Sequence, residues 1–189
     1  MKNINYLENP NLKMNQDVKE LIQALQNQDG IVRSYAASAL GGIGSGTKDA
    51  VPALIQVLPH YRRNIVRGNV ATALGGIGEG AKDAVPALIQ TLKDQDAGVR
   101  GHVSEALCRI GKEGVVDTVI PMLQDIDPFV RSRTAHALGE IGPGAKDADI
   151  YLIHLLKDPD NNVRKDAEWA LGKINTPDAR RALRGEFDV

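Results

Sequence analysis

Cysteine is almost absent from this sequence of 189 residues, and aromatic residues make up only 4% of it. The single cysteine, Cys108, excludes an internal disulfide framework and any zinc cluster built on several thiolates. The chain also lacks an excess of basic charge, because 23 Lys and Arg residues stand against 24 Asp and Glu residues. We therefore expect no nucleic-acid partner, since binding to the phosphate backbone requires a basic surface.

Long apolar stretches are missing as well. No segment approaches the roughly 18 uninterrupted apolar residues of a membrane-spanning helix, and residues 1–5 show no apolar core of a signal peptide. These absences predict a cytoplasmic protein with no membrane insertion. With 42% hydrophobic and 25% charged residues, the chain is able to bury a continuous core as one domain.

An internal repeat dominates the sequence. A Val-Arg pair occurs five times, with leucine eight residues and isoleucine eleven residues after each valine. Small or apolar residues also stand four and seven residues after each valine, except for Thr134 in the fourth copy. Together these positions form one apolar stripe on an α-helix, which we name the B helix. The valines are Val32, Val66, Val99, Val130 and Val163, so successive copies are separated by 34, 33, 31 and 33 residues.

A second apolar segment precedes each B helix and predicts a partner helix, which we name the A helix. Pro121 falls two residues before Leu123, deep inside one of these segments, and predicts a kink or a late helix start there. Gly follows the isoleucine of four copies and Asn175 follows the fifth, and both residue types tolerate the positive φ of a helix C-terminus. The A segments are residues 18–25, 51–58, 85–92, 116–123 and 150–156.

The turn between the A and B helices carries Asp three residues before the valine in four copies. Each Asp is predicted to cap its B helix by accepting backbone N–H bonds. Each also lies four residues before the repeated Arg, so we expect an Asp/Arg pair within each of these four copies, stacked into a ladder. The second copy departs from this pattern, with Arg63 at the Asp position and one extra residue in the turn. The four residues are Asp29, Asp96, Asp127 and Asp160.

The signature D-x-x-V-R-x-x-(A/V)-x-x-A-L-x-x-I-G resembles the short HEAT-like repeat of bilin lyase subunits and of many bacterial scaffold proteins. The resemblance covers residues 16–175 and implies an all-α, right-handed α-solenoid of five HEAT-like helix-turn-helix repeats. Residues 1–15 and 176–189 are predicted to be an N-terminal cap and a C-terminal cap helix, which would hide the end faces of the array. The expected repeats are residues 16–44, 45–78, 79–111, 112–142 and 143–175.

In solenoids of this kind the B helices line the concave surface, and positions that do not pack are free to bind. Positions three, six and ten after each valine vary between copies. They are small or neutral in the first two copies but charged or aromatic in the last three, which predicts a binding hot spot in the C-terminal half. The predicted concave surface comprises Tyr35, Asn69, His102, Glu105, Arg109, Arg133, His136, Glu140, Asp166, Trp169 and Lys173.

Trp169 is the only tryptophan and the strongest single candidate on this surface. Its indole is able to bury a large area on a partner at low entropic cost. The competing interpretation is that it folds onto the C-terminal cap around Leu183 and Phe187. The sequence leaves both interpretations open.

The turn containing His60, Tyr61, Arg62 and Arg63 is a second candidate site, because it replaces an acidic turn by a basic, aromatic one. The alternative is a tolerated surface insertion. His102, Glu105, His136 and Glu140 would face one another on neighbouring helices, but adjacent arginines disfavour a cation, so we predict no metal site. Cys108 stands where the other copies have Gly, which indicates a packing residue rather than a nucleophile.

The sequence contains no convergent nucleophile, base and oxyanion donor. We therefore expect a non-catalytic scaffold or adaptor, without a cofactor, that binds a partner protein on the concave face. The resemblance alone implies an alternative, a phycobilin lyase subunit or chromophore-handling protein with a bilin near Tyr35, His102, Arg133 and Trp169. That alternative would make the chain part of an enzyme. A hetero-oligomer, in which a second subunit completes the site, stays open.

Overall fold

The computed structural model describes residues 10–59 and 63–186. Within these ranges the regular structure consists of eleven α-helices and five 3₁₀ segments, with no strand. The α-helices are α1 (Pro10–Ala24), α2 (Gly30–Ile43), α3 (Val51–Val57), α4 (Asn64–Ile77), α5 (Val85–Thr91), α6 (Ala97–Gly111), α7 (Val116–Val119), α8 (Pro128–Ile141), α9 (Asp149–Leu155), α10 (Asn161–Ile174) and α11 (Pro177–Leu183).

The helices form two layers of an α-solenoid. The B helices α2, α4, α6, α8 and α10 pack side by side in chain order, each against the next. The chain leaves a B helix through a 3₁₀ segment and enters a short A helix; Gly44–Ala50, Gly78–Ala84 and Gly142–Ala148 are three of these segments. The all-helical repeat architecture predicted from the sequence is therefore confirmed, and the glycine-rich stretches are turns between repeats.

Helix starts follow the predicted caps. The Oδ1 atoms of Asp29, Asp96, Asp127 and Asp160 accept backbone N–H bonds from the first turns of α2, α6, α8 and α10 at 2.8–3.0 Å. Helix α4 begins after Arg63, which makes no side-chain capping bond. The substitution in the second copy thus removes a cap that the other copies retain.

Helix ends follow the predicted glycines with one exception. Gly44, Gly78 and Gly142 have φ of 74°, 67° and 69°, and Asn175 is left-handed at 56°. In the third copy the prediction for Gly111 is wrong, because α6 continues through Gly111 and Lys112 adopts φ of 46°. A Cβ on Gly111 would lie 2.3 Å from Cγ1 of Val115 in the short turn that follows, so this glycine provides space rather than a positive φ.

The core is a continuous column between the two layers, built from the repeated leucines and from Ile77, Ile110 and Ile174, whereas Ile43 in the first copy is 37% exposed. The leucines eight residues after each valine have no exposed surface: Leu40, Leu74, Leu107, Leu138 and Leu171. Small residues let neighbouring B helices approach closely, as at Gly41, where a Cβ would lie 2.6 Å from Cα of Ala73. Pro121 breaks its A helix as predicted, because α7 ends at Val119 and a 3₁₀ segment, Ile120–Gln124, completes it.

A ladder of arginine–aspartate pairs joins successive repeats along the A–B turns. Arg67 pairs with Asp94, Arg100 with Asp125 and Arg131 with Asp158, with Nε–Oδ2 distances of 2.6, 2.7 and 2.8 Å. The expectation that each arginine pairs with the capping Asp of its own copy is wrong. The acid lies two residues before the next copy's cap, because the arginine side chain reaches across to the neighbouring turn while the cap carboxylate is occupied by helix N–H groups.

Both ends of the array differ from its middle. Helix α1 begins at Pro10, so it runs from the predicted N-terminal cap into the first repeat. Helix α11 follows Thr176, whose Oγ1 accepts a bond from Ala179 N at 3.1 Å, and packs on α9 and α10. On α10, Lys165 and Glu168 are exposed at positions where the other B helices carry small residues or Ser. Residues 1–9 and 187–189, which include parts of both predicted caps, lie outside the described residues.

Candidate interaction surface on the B helices

One face of the B helices carries the candidate binding residues, and we name it the B face. It consists of positions three, six and ten after each repeated valine, together with the position just before the valine, which shares the same side of the helix. Tyr35 projects from α2 with 74% of its surface exposed. Asn69 on α4 is half-buried and donates through Nδ2 to Ser34 Oγ at 2.6 Å, which ties the two helices together.

Glu105 is the central acid of the C-terminal half. Its Oε1 lies 3.0 Å from Nη2 of Arg109 on the same helix, and its Oε2 lies 2.6 Å from Nη2 of Arg133 on α8. Only 18% of the Glu105 side chain is exposed, against 53% for Arg109 and 36% for Arg133. The carboxylate is therefore neutralised from two sides, and the two guanidinium groups are held facing outward.

His102 lies beside this cluster in a half-buried position. Burial lowers the pKa of its imidazole, and the positive charge of Arg133 lowers it further, so the ring is neutral at pH 7. The ring meets Phe129 edge to face at a centroid distance of 6.0 Å, and Phe129 also lies beneath the guanidinium of Arg133 at 5.8 Å. The Nδ1 atom of His102 is buried and has no hydrogen-bond partner within the described residues.

Trp169 is fixed against α8. Its ring stacks on His136 with centroids 4.5 Å apart and planes 11° from parallel, and Nζ of Lys173 lies 5.4 Å from the ring centroid. A Cβ on Gly139 would lie 2.4 Å from Cζ3 of Trp169, so the glycine makes room for the indole. Trp169 remains partly exposed on the B face, and its ring contacts come from His136 and Gly139 on α8 and from Lys173 on its own helix. Phe187, which the competing interpretation invokes, lies outside the described residues.

His136 lies near two carboxylates, beyond hydrogen-bonding distance of either. Its Nδ1 is 3.7 Å from Oδ1 of Asp166, and its Nε2 is 3.9 Å from Oε1 of Glu140. Ser132 donates a hydrogen bond to Asp166, which links α8 to α10. Within the described part of the chain, no three His, Cys, Asp or Glu side chains converge as metal ligands.

A groove of about 420 Å³ lies between α6 and α8, with Glu105, Arg109 and His136 among the side chains that line it. Its volume is within the roughly 300–1,000 Å³ that small-molecule sites occupy. Cys108 forms part of the lining, with 3% of its surface exposed. Burial, assisted by Glu105, raises the pKa of the Cys108 thiol to about 12, so the thiol is protonated and unreactive at neutral pH.

The sequence prediction omitted the position just before each valine, and this omission changes the character of the N-terminal half. Ile31, Ile65 and Phe129 occupy this position and are 54%, 60% and 43% exposed. They lie four residues before Tyr35, Asn69 and Arg133, so helical periodicity would have placed them on the same face. The first two repeats therefore present an apolar B face rather than a small and neutral one.

The turn that contains the basic, aromatic candidate site is described only at Arg63. His60, Tyr61 and Arg62 lie outside the described residues. Arg63 is exposed, and its aliphatic stem passes over Gly30, where a Cβ would lie 3.1 Å from Cδ of Arg63. This contact brings the Arg63 side chain to the edge of the B face between α2 and α4. None of the described helices combines the length and apolarity that a bilayer crossing requires.

Residues 18–98 and 85–150 match the sequence profile of the family described as HEAT repeats. No curated protein sequence matches the chain significantly. Among solved structures, the complex of CpcE and CpcF of phycocyanin lyase from Nostoc sp. is similar at a TM-score of 0.71 and 26% identity, over 89% of this chain and 75% of that chain. An engineered protein is similar at a TM-score of 0.62 and 25% identity, over 90% and 85% of the two chains. A designed armadillo repeat protein in complex with the peptide (KR)4 shares the fold at a TM-score of 0.55 and 17% identity, over 87% of each chain.

Proposed function

This chain belongs to the HEAT-repeat family, and we propose that it is a non-catalytic scaffold that binds a partner protein along the B face. The family profile spans most of the chain, and the remaining helices continue the same layered architecture. Repeat solenoids present extended surfaces of this kind to their partners. We assign most of the free energy of partner binding to side chains on α6, α8 and α10.

The observation that carries the proposal is the order already present on these three helices. Glu105 fixes Arg133 by an ion pair, and His136 fixes Trp169 by stacking. Arg and Trp are the residue types most enriched among interface hot spots. Because their side chains are held before binding, a partner would lose less conformational freedom on contact, which favours affinity.

The chemistry of the same residues supports binding rather than catalysis. Glu105 is compensated by two guanidinium groups, and the Cys108 thiol is buried with a raised pKa. Burial lowers the pKa of His102, and its Nδ1 has no hydrogen-bond partner within the described residues to activate. The face offers complementary charges and aromatic surface instead.

Affinity capture from the source organism's lysate tests this proposal. Wild type is compared with the double variant Arg133→Glu/Trp169→Ala, and a matched control, Gln90→Ala/Lys93→Glu, changes two exposed residues on the A-helix side. We expect a protein retained by wild type and by the control but lost with the B-face variant. If the partner is lost only with the control variant, or is retained by all three proteins, the binding site does not lie on the B face.

A phycobilin lyase subunit or chromophore-handling protein is the second candidate, and one observation favours it. The phycocyanin lyase complex of CpcE and CpcF resembles this chain over 89% of its length. Under this candidate a bilin would contact Tyr35, His102, Arg133 and Trp169, and a second subunit would complete the site. Mixing the protein with free phycocyanobilin would then change the absorbance spectrum of the bilin, and Arg133→Glu would abolish the change. An unchanged spectrum with wild type would show that this chain alone does not bind the bilin.

A further inference from the structure

The groove between α2 and α4 is an exposed and largely apolar feature of the B face. Ile31 and Tyr35 on α2 and Ile65 on α4 form its walls, and the hydrogen bond from Asn69 to Ser34 crosses its floor at 2.6 Å. The groove has a volume of about 260 Å³. This is below the roughly 300–1,000 Å³ of small-molecule sites, so the space suits a single large side chain better than a cofactor.

The described part of the chain leaves these walls exposed to solvent. Tyr35, Ile65 and Ile31 are 74%, 60% and 54% exposed, although they are neighbours on adjacent helices. Contiguous exposed apolar residues of this kind mark interaction sites. The same row is interrupted at α6 by Gly98, so the apolar patch is confined to the N-terminal half of the B face.

The positive charge at the rim of the groove indicates which kind of partner residue would bind beside it. Arg63 is the charged residue that lines this groove, and it stands where the other copies carry a capping Asp. The sign of the local charge is therefore opposite to that of the equivalent turns. A guanidinium group at the rim of an apolar groove favours a carboxylate placed next to the inserted side chain.

We infer that the α2–α4 groove is an anchor subsite for a partner protein, which inserts one aliphatic or aromatic side chain there and places a neighbouring Asp or Glu against Arg63. This inference rests on the proposed function and names the partner's local chemistry. Two helix-to-helix steps of about 8–10 Å separate the groove from the α6–α8 cluster. An extended segment of about five or six residues would therefore connect the two sites.

Selection from a displayed library of random dodecapeptides tests the inference. Peptides enriched on immobilised wild type are expected to share an apolar residue beside an acidic one. The strongest of them, synthesised and titrated, should bind at least tenfold more weakly to Ile65→Asp and to Arg63→Glu, as expected from loss of one buried apolar contact or one charge pair. Asp is a favourable residue in the first turn of a helix, so Ile65→Asp should fold normally. The matched control is Ile89→Asp on α5, a 39% exposed isoleucine on the A-helix side, which should leave the affinity unchanged.

The other outcomes separate this inference from the proposed function. Peptides that bind Ile65→Asp as tightly as wild type but fail to bind Arg133→Glu/Trp169→Ala would overturn the anchor subsite and leave the scaffold proposal intact. Absence of any enriched peptide would count against both. A second copy of this chain is the remaining possible occupant of the groove, and analytical ultracentrifugation tests it. If wild type is a dimer and Ile65→Asp is a monomer, the groove is a dimer contact and the inference is overturned.

Discussion

The arginine–aspartate ladder makes the sharpest prediction about stability, and Arg100 is its middle rung. Its Nε and Nη2 atoms donate to the two carboxylate oxygens of Asp125 at 2.7 and 2.8 Å, and its Nη1 donates to the carbonyl oxygens of Asp94 and Gln95 at 2.9 and 3.1 Å. The side chains of Arg100 and Asp125 are only 14% and 9% exposed. One guanidinium group thus joins the turn of one repeat to the turn of the next.

Arg100→Ala leaves the Asp125 carboxylate and two turn carbonyls without these donors. Breaking a buried pair from one side costs about 3–5 kcal/mol, and because this pair is at the edge of the core we expect about 2–4 kcal/mol. For a chain of this size that corresponds to a fall in melting temperature of about 5–15 °C. Arg100→Lys keeps the charge but loses the two-pronged geometry, so its effect should be intermediate.

Urea unfolding followed by far-UV circular dichroism measures the change in the free energy of unfolding, and a thermal melt followed in the same way measures the change in melting temperature. The control is Lys82→Ala, which removes an exposed pair with a Lys82–Glu79 distance of 4.0 Å and should have no measurable effect. The double-mutant cycle with Asp125→Ala should give a coupling free energy of at least about 1 kcal/mol. If Arg100→Ala is no more destabilising than Lys82→Ala, the ladder does not hold the repeats together and the reasoning is wrong.

Three other features give predictions of their own. Hydrogen bonds from Arg100 hold the pKa of Asp125 below its ordinary value of about 3.9, so the stabilisation is fully present above that pH and is lost as pH falls through the lower folded-state pKa; below about pH 4 the melting temperature should therefore fall less in Arg100→Ala than in wild type, and equal acid sensitivity of the two proteins would contradict this. Gly139→Ala should destabilise the protein by about 1–3 kcal/mol because its Cβ would collide with the Trp169 ring, whereas Gly172→Ala on α10, with open space at the Cβ position, should stabilise it by about 0.5–1 kcal/mol; thermal melts compare the two, and the reverse order would be inconsistent with the close approach of α8 and α10. The Cys108 thiol, with a pKa of about 12 and 3% exposure, should react with Ellman's reagent at pH 8 only after unfolding in urea, and rapid labelling of the native protein would show that α6 opens.

Local sequence signals were sufficient for most of the fold. The Asp caps, the positive-φ Gly and Asn residues and the break at Pro121 each depend on a short stretch of chain, and the structure has them at the predicted positions. The exception is the third copy, where Lys112 takes the positive φ and Gly111 leaves room for the Val115 side chain.

Contacts between repeats were harder to predict. The acids of the ladder precede the capping aspartates by two residues, in the pattern D-x-D-x-x-V-R at Asp94, Asp125 and Asp158. The sequence contains that pattern, but only the stacking of turns shows that each arginine reaches the following copy. The apolar row of Ile31, Ile65 and Phe129 was available from helical periodicity, and it was missed because candidate positions were counted only from the repeated valine onward.

The measurement that tests the central claim most directly is the affinity of the captured partner protein for three forms of this chain, determined by isothermal titration calorimetry. Wild type and the A-side control Gln90→Ala/Lys93→Glu should bind the partner equally. Arg133→Glu/Trp169→Ala should bind at least a hundredfold more weakly, about 2.7 kcal/mol, because it removes two oriented hot-spot side chains. Equal affinity for the B-face variant and wild type would contradict the claim that the B face is the binding surface.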